Sequence, residues 1–228
     1  MTRTLRADGL QSVTATDRSP DLTWVKAACF SSMAAPISRI SPRWRWQSSG
    51  VHDLAMSDEV ALRPVREDDL PMLEELTQDP DKAGEFEWFG WSDLRRWRRG
   101  WDENGLISPE GGTLIATHGD QRLGLVNWRR QSITVPSSYC WEIGIILLPQ
   151  ARGRGYGTQA QRLLARYLFA HTTVHRIWAG TEVDNIAEQR ALEKAGFIRE
   201  GTTRATGWRD GAWRDGVIYS LLRTDPAV

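Results

Sequence analysis

The chain has 228 residues, 40% of them hydrophobic and 25% charged, with 29 Lys and Arg balanced by 29 Asp and Glu. That make-up suits one sizeable soluble domain with additions, gives no overall positive footprint for nucleic acid, and contains no apolar span of membrane-helix length. The only cysteines, Cys29 and Cys140, lie far apart with no CxxC or Cys/His cluster, which argues against a disulfide framework and a zinc site and makes a reducing cytoplasm the default.

Residues 1–55 show neither helical nor strand periodicity and are dotted with Ser, Thr, Arg and Pro. Disorder is expected there, with the folded domain in 56–228. Their arginine and serine bias faintly resembles a transit peptide, and a start of translation at Met56 is the plainer alternative. They carry seven Lys or Arg against four Asp, which leaves 22 against 25 in the rest, a mild acidic excess.

From Val60 the pattern is orderly. Val60 to Val65 predicts a strand. Glu67, Asp68 and Asp69 then load a first helical turn with negative charge, and Leu70, Leu73 and Leu76 recur at helical spacing until Asp79-Pro80-Asp81 stops the helix. A basic amphipathic helix is expected around Asp93 to Trp101, burying Trp97 and Trp101. Its arginines Arg95, Arg96, Arg98 and Arg99 read as a solvated face, with an acidic or RNA partner as the alternative. Thr113 to His118 and Arg122 to Arg130 form strands around a turn at 118–121, and Ser137 to Leu148 completes an antiparallel meander.

That third strand runs into Pro149-Gln150-Ala151-Arg152-Gly153-Arg154-Gly155-Tyr156-Gly157-Thr158 and then a helix with Ala160, Leu163, Leu164, Tyr167 and Leu168 on one face. Such a junction suits an anion. Glycines let the backbone turn tightly, the first helical amides are unpaired, and the helix dipole adds roughly 0.3–1 kcal/mol beside Arg152 and Arg154. The expected ligand is a phosphorylated cofactor. A dinucleotide fingerprint needs another glycine spacing and an opening parallel βαβ unit, and a Walker loop needs a Gly-Lys-Ser/Thr that is absent.

After a crossover, His175 to Thr181 is expected to lie parallel to the preceding strand. Asn185 caps the next helix, with Glu188 completing a capping box, Ala187, Ala191, Leu192 and Ala195 as its buried stripe, and Gly196 as its stop. Phe197 to Glu200, Thr202 to Trp208 and Trp213 to Leu222 are strands, the last pair joined at Asp210-Gly211. The fold class is mixed α/β (α+β), neither doubly wound nor a barrel.

Three pieces occur in order: the meander ending in Gln150-Ala151-Arg152-Gly153-Arg154-Gly155, the crossover, and Asn185 through Ala191-Leu192-Glu193-Lys194-Ala195-Gly196-Phe197. Together they resemble the GNAT superfamily of acetyl-CoA-dependent N-acetyltransferases, over about Val60 to Leu222. The Glu-Ile-Gly strand and the Ala-Leu-Glu-Lys-Ala-Gly-Phe ending are similar to the branch of ribosomal-protein N-terminal acetyltransferases. The resemblance implies a mostly antiparallel sheet with a parallel central strand pair and helices on both faces. It implies acetyl-CoA as co-substrate, an amine acceptor, no metal, and a monomer or homodimer away from membranes and nucleic acid.

It also implies roles. Backbone groups of Ile145, Ile146 and Leu147 would hold the pantetheine arm and face the thioester, the amides of Arg152, Gly153, Arg154, Gly155, Tyr156 and Gly157 would take the pyrophosphate with Gln150 and Thr158 also at the cofactor, and Asn185 would bond the pantetheine as well as cap its helix. Glu142, a carboxylate in an apolar strand, is the candidate general base; an arginine-paired structural glutamate is the alternative. Many relatives carry a tyrosine as general acid where this chain has Leu192, so a dedicated acid is in doubt, with Tyr219 as a possible substitute or a packed aromatic. Trp88, Phe89 and Trp91 fall where the family builds its acceptor wall, core packing being the alternative. The leading function is acetyl transfer to a protein N-terminus or small-molecule amine by direct attack in a ternary complex. The second is a non-catalytic acyl-CoA-binding regulatory module on the same fold.

Overall fold

Alternation along one strand explains the layering. In Leu114-Ile115-Ala116, successive side chains point to opposite faces, so each face collects its own apolar set and each must be covered. The computed structural model describes residues 59–132, 135 and 138–226, and the expectations for residues 1–55 lie outside them. In chain order the elements are β1 (Val60–Pro64), α1 (Leu70–Gln78), α2 (Pro80–Ala83), α3 (Arg96–Asn104), β2 (Ile107–Ser108), β3 (Gly111–His118), β4 (Gln121–Ser132) and β5 (Tyr139–Leu147). They continue as α4 (Tyr156–His171), β6 (Arg176–Glu182), α5 (Ile186–Lys194), β7 (Ile198–Arg209) and β8 (Ala212–Leu222).

The sheet runs β1-β3-β4-β5-β6-β8-β7, with β2 paired to β3 off that path. Among the described residues only β5 and β6 pair in parallel. On one face Leu114, Ala116, Val126 and Ile143 pack with Ala160, Leu164 and Leu168 of α4 and Leu192 of α5. On the other, Ile115 and Leu125 meet Leu70, Leu73, Leu76 and Trp97 of α1 and α3. Helices therefore cover both faces, as the resemblance implied. Each fully buried leucine contributes about 2 kcal/mol of transfer free energy. Among the described residues no helix is long and apolar enough to cross a membrane.

Local differences have local causes. Asp79, which ends α1, also starts α2: its Oδ1 accepts from the amides of Asp81 (3.0 Å) and Lys82 (3.4 Å), with Pro80 at the tolerated first position. The two stretches expected on either side of Gly201 are one strand, β7, whose register against β8 shifts twice. Of the two helix tryptophans, Trp97 is buried and donates to Thr77 Oγ1 at 3.2 Å, while Trp101 is half-buried.

Asp69 anchors α1 to the sheet. Its fully buried carboxylate receives Arg63 through both oxygens (2.6 and 2.8 Å), Arg122 Nε (2.6 Å) and the Arg66 amide (2.8 Å). Burial alone would raise its pKa, but these partners hold it at about 2. The folded-state value lies below the ordinary 3.8, so this stabilisation is present above that pH and is lost as the pH falls toward 2. Asp69→Asn should lower unfolding free energy at pH 7 by about 3 kcal/mol, read by urea denaturation, and its deficit against wild type should shrink as the pH falls through the same window.

Candidate functional site

The site begins where the sheet fails to close. Strands β5 and β6 pair only at Trp141↔Ile177 and Glu142↔Trp178 and then part. Strand β5 continues to Leu147 with β4 on its other side, while β6 continues to Glu182 against β8. The inner edge of β5 beyond Glu142 thus offers backbone donors and acceptors to whatever enters the gap.

At the far end of β5, Pro149 to Ala151 make one 3-10 turn and Gly153 and Gly155 take left-handed backbone conformations (φ 73° and 81°). Gly155 is the N-cap of α4 and no side chain caps the helix. The first amides of α4 are left for an anion. A Cβ at Gly157 would lie 3.6 Å from Leu147 and 3.9 Å from Ile145, which sets the start of α4 close against the parted strand.

Two arginines place the opposite wall. Arg152 donates to the carbonyls of Leu147 (2.9 Å), Ala83 (3.0 Å) and Lys82, tying α2 to the end of β5. Gly84 takes φ 91° beneath it, and a Cβ there would lie 2.9 Å from the Arg152 guanidinium. Buried Arg209 of β7 grips Glu182 at the end of β6 through both oxygens (2.7 and 2.8 Å), pairs with Glu85 at 3.9 Å and stands 5.2 Å over the Phe86 ring. Residues 84–87 are thereby held across the gap.

The result is a cavity of about 520 Å³. Its walls come from Ala83 to Glu87, Ile145 to Leu147, the loop residues Arg152, Gly153, Gly155, Gly157 and Thr158, and Asn185, Ala187, Glu188, Arg190, Ala191 and Lys194. Ile145 and Leu147 pack with the core beneath α4, Ile146 with the core beneath α1, so a cavity that touches all three opens at the strand edge itself. Free helix amides, an unpaired strand edge and the gap between them fit a phosphorylated ligand with a long amide-bearing arm, as coenzyme A is.

The predicted residues divide into those the cavity gathers and those it does not. Asn185 lines it and is a full cap, its Oδ1 accepting from the Glu188 amide (3.2 Å) and its Nδ2 donating to Thr181 Oγ1 (2.9 Å). The expected capping box is half formed: the Asn185 amide goes to Glu182 O, and the Glu188 carboxylate takes Gln161 Nε2 at 2.6 Å instead. Arg154 lies over the ring of buried Tyr156 at 5.1 Å, and Gln150 lines a separate cavity of about 420 Å³ with Met72, Lys82 and Arg122. Trp88 and Trp91 meet edge to face at 6.1 Å, and Phe89 and Trp91 are 65% and 82% exposed, just beyond the wall-forming stretch 84–87. Glu142 stands at the last paired position before the gap and accepts from Arg129 Nε at 2.5 Å; its own side chain is 16% exposed and that of Arg129 71%. Tyr219 is fully buried, with its hydroxyl donating to Glu193 at 3.0 Å, so it is a packed aromatic; Leu192 is likewise buried.

Two carboxylates that the sequence reading did not place in the site, Glu87 and the capping-box residue Glu188, are in the wall. Glu87 is exposed at the cavity, and desolvation by the walls around it, with the charge of Glu188, pushes its carboxyl up despite nearby Arg152. Burial likewise raises Glu188 to about 7 against the Gln161 hydrogen bond, which favours the charged form. The legible signal for Glu188 was its place one turn inside the Asn185 cap.

Comparison with known proteins agrees with this geometry. Residues 59–198 match the acetyltransferase (GNAT) domain family. The probable N-acetyltransferase YjcK of Bacillus subtilis (strain 168) is 39% identical over 83 residues, 36% of this chain and 46% of that protein. The chain spans about half the length of the curated relatives it matches. Among solved structures, spermidine N-acetyltransferase from Vibrio cholerae, in complex with CoA and spermine, superposes with a TM-score of 0.63 at 18% identity, covering 73% of this chain and 97% of that one. The ribosomal alpha-N-protein acetyltransferase RimL, in complex with coenzyme A, gives 0.61 at 18% identity over 73% and 96%; at such identity the likeness is one of fold. The chain belongs to the GNAT acetyltransferase family, whose co-substrate is acetyl-CoA.

Proposed function

We propose that this protein is an N-acetyltransferase that moves the acetyl group of acetyl-CoA directly to a primary amine, on a protein N-terminus or a small molecule. The observation that carries the reading is the continuous path from the uncapped start of α4 along the unpaired edge of β5 to the parting point at Glu142. Amides of Gly153 to Thr158 would take the pyrophosphate. The edge at Ile145 to Leu147 would hold the pantetheine arm, with one amide aimed at the thioester oxygen, and Asn185 would steady the arm from α5. The structural neighbours crystallised with CoA are, by name, a spermidine N-acetyltransferase and a ribosomal alpha-N-protein acetyltransferase, both acting on amines. The ring pair of half-buried Trp88 and exposed Trp91, with Phe89, would border the amine's entry.

Glu142 is assigned as the group that receives the ammonium. Its partner Arg129 is largely solvent-exposed, and an incoming cation can take that partner's place at little cost, since exposed ion pairs are worth about 0–1 kcal/mol. Once there, the ammonium can give its proton to the carboxylate or to a bridging water. The free buried thiol of Cys140 suits a cytoplasmic setting.

The direct test is release of free thiol from acetyl-CoA over a panel of peptides, polyamines and amino acids; release that depends on the amine is the expected result, and binding without release would point to a regulatory module. In Gly155→Glu the added side chain meets the pyrophosphate position from a left-handed backbone, so CoA affinity measured by calorimetry should fall about tenfold or more. Glu142→Gln should keep CoA affinity and lose turnover by about a hundredfold; unchanged turnover would remove Glu142 from the reaction.

A further inference from the structure

As the C–S bond of a thioester breaks, its electron pair goes to sulfur, and a proton must reach that sulfur for free thiol to leave. The described residues that line the cavity include three carboxylates, Glu85, Glu87 and Glu188, and three cations, Arg152, Arg190 and Lys194. Arg152 is committed to carbonyls of Leu147 and Ala83, and Glu85 is turned toward Arg209. Glu188 stands on α5 between the cap Asn185 and Leu192, one turn further on, whose apolar side chain is sealed in the core. With Leu192 and Tyr219 sealed in the core, the α5 side chains that line the gap with a proton to give are the cations Arg190 and Lys194 and the carboxyl of Glu188, and Glu188 is the acid among them.

Its support is unusual. Gln161 of α4 is 1% exposed and donates through Nε2 to Glu188 Oε1 at 2.6 Å, while its own Oε1, also buried, has no partner among the described residues. A glutamine in that position serves either protonation state: Nε2 donates to a carboxylate, and after a half-turn of the amide Oε1 accepts from a carboxylic acid. Glu87 faces the same cavity from the opposite wall, where the charge of Glu188 raises the Glu87 carboxyl, with Arg152 and Glu182 also acting on it.

We propose that Glu188, steadied by Gln161 and facing Glu87 across the cavity, is the general acid of the transfer, giving its proton to the sulfur of CoA. This rests on the acetyltransferase reading above. As the amine nitrogen forms its bond to the acetyl carbon and the C–S bond breaks, the proton of Glu188 moves to sulfur and leaves a carboxylate. The nitrogen sheds its two excess protons toward Glu142 and water, one of which restores Glu188 through the cavity mouth, so one proton is released per turnover. A group raised to about 7 by burial is half protonated near neutral pH, the condition for such a donor.

The test uses the full chain and Glu188→Gln, which keeps an oxygen to accept from Gln161. Wild-type kcat, at saturating amine, should fall on an alkaline limb as Glu188 ionises. In E188Q kcat should be about thirtyfold lower or more and that limb should vanish, while calorimetric CoA affinity stays within about twofold, a difference too small to mark a lost charged contact. Glu188→Asp should regain part of kcat and the limb. In carbon-13 spectra of glutamate-labelled protein without ligand, one carboxyl titrating near neutral pH should be missing from E188Q. Wild-type kcat with the limb intact in E188Q, a loss confined to CoA affinity, or a Glu188 midpoint in the ordinary carboxylate range would each overturn the assignment. A wild type that releases no thiol with any amine would instead overturn the underlying acetyltransferase reading, and this assignment with it.

Discussion

Everything in the site follows from two parallel strands that stop pairing. A sheet normally satisfies the backbone polar groups of its interior strands from both sides, and an unpaired buried amide or carbonyl costs about 1–3 kcal/mol. Here β5 is interior by position yet behaves as an edge beyond Glu142. Strand β6 can swing away because β8 holds it along its whole length, from Arg176↔Leu222 to Glu182↔Gly216. The gap is affordable only if water or a ligand completes the ladder, so the same geometry that weakens the sheet makes it a receptor for an extended, amide-rich chain.

The gap also needs a second wall, and electrostatics supplies it. Arg152 and Arg209 hold residues 84–87 from opposite ends, one through the main-chain carbonyls of Lys82 and Ala83 just before them and one through Glu85 and Phe86. An arginine can do this because its planar fork serves several acceptors at once. Spending Arg152 in this way shifts the work of anion binding to backbone amides of the loop, which are fixed in direction and cannot be titrated.

Much of this was legible in the chain, and the division is physical. Features set by local geometry could be read directly: the alternation of β3 and β4, the leucine stripe of α1, the left-handed glycines before α4, the Asn185 cap. The parallel pairing of β5 and β6 followed from the helix between them. What could not be read were relations between segments distant in sequence. Nothing near Glu87 says that it will face Glu188 across a cavity, since that depends on Arg152 and Arg209 drawing the 84–87 segment over the gap. The ion pair of Glu142 with Arg129 depends on the register of β4 on β5. Asn185 and Glu188 had the spacing of a capping box, but a tertiary partner, Gln161, won the carboxylate.

The strand order has a consequence for synthesis. Strand β8, closest to the C-terminus, is an interior strand that lies between β6 and β7. While the chain emerges from a ribosome, β1 through β5 can assemble a meander with α1 and α4 on its faces. Strands β6 and β7 must wait with open edges until β8 slots between them. The cleft side of the molecule is therefore completed last, and the half-built protein carries its exposed strand edges on the side that will later hold the substrate.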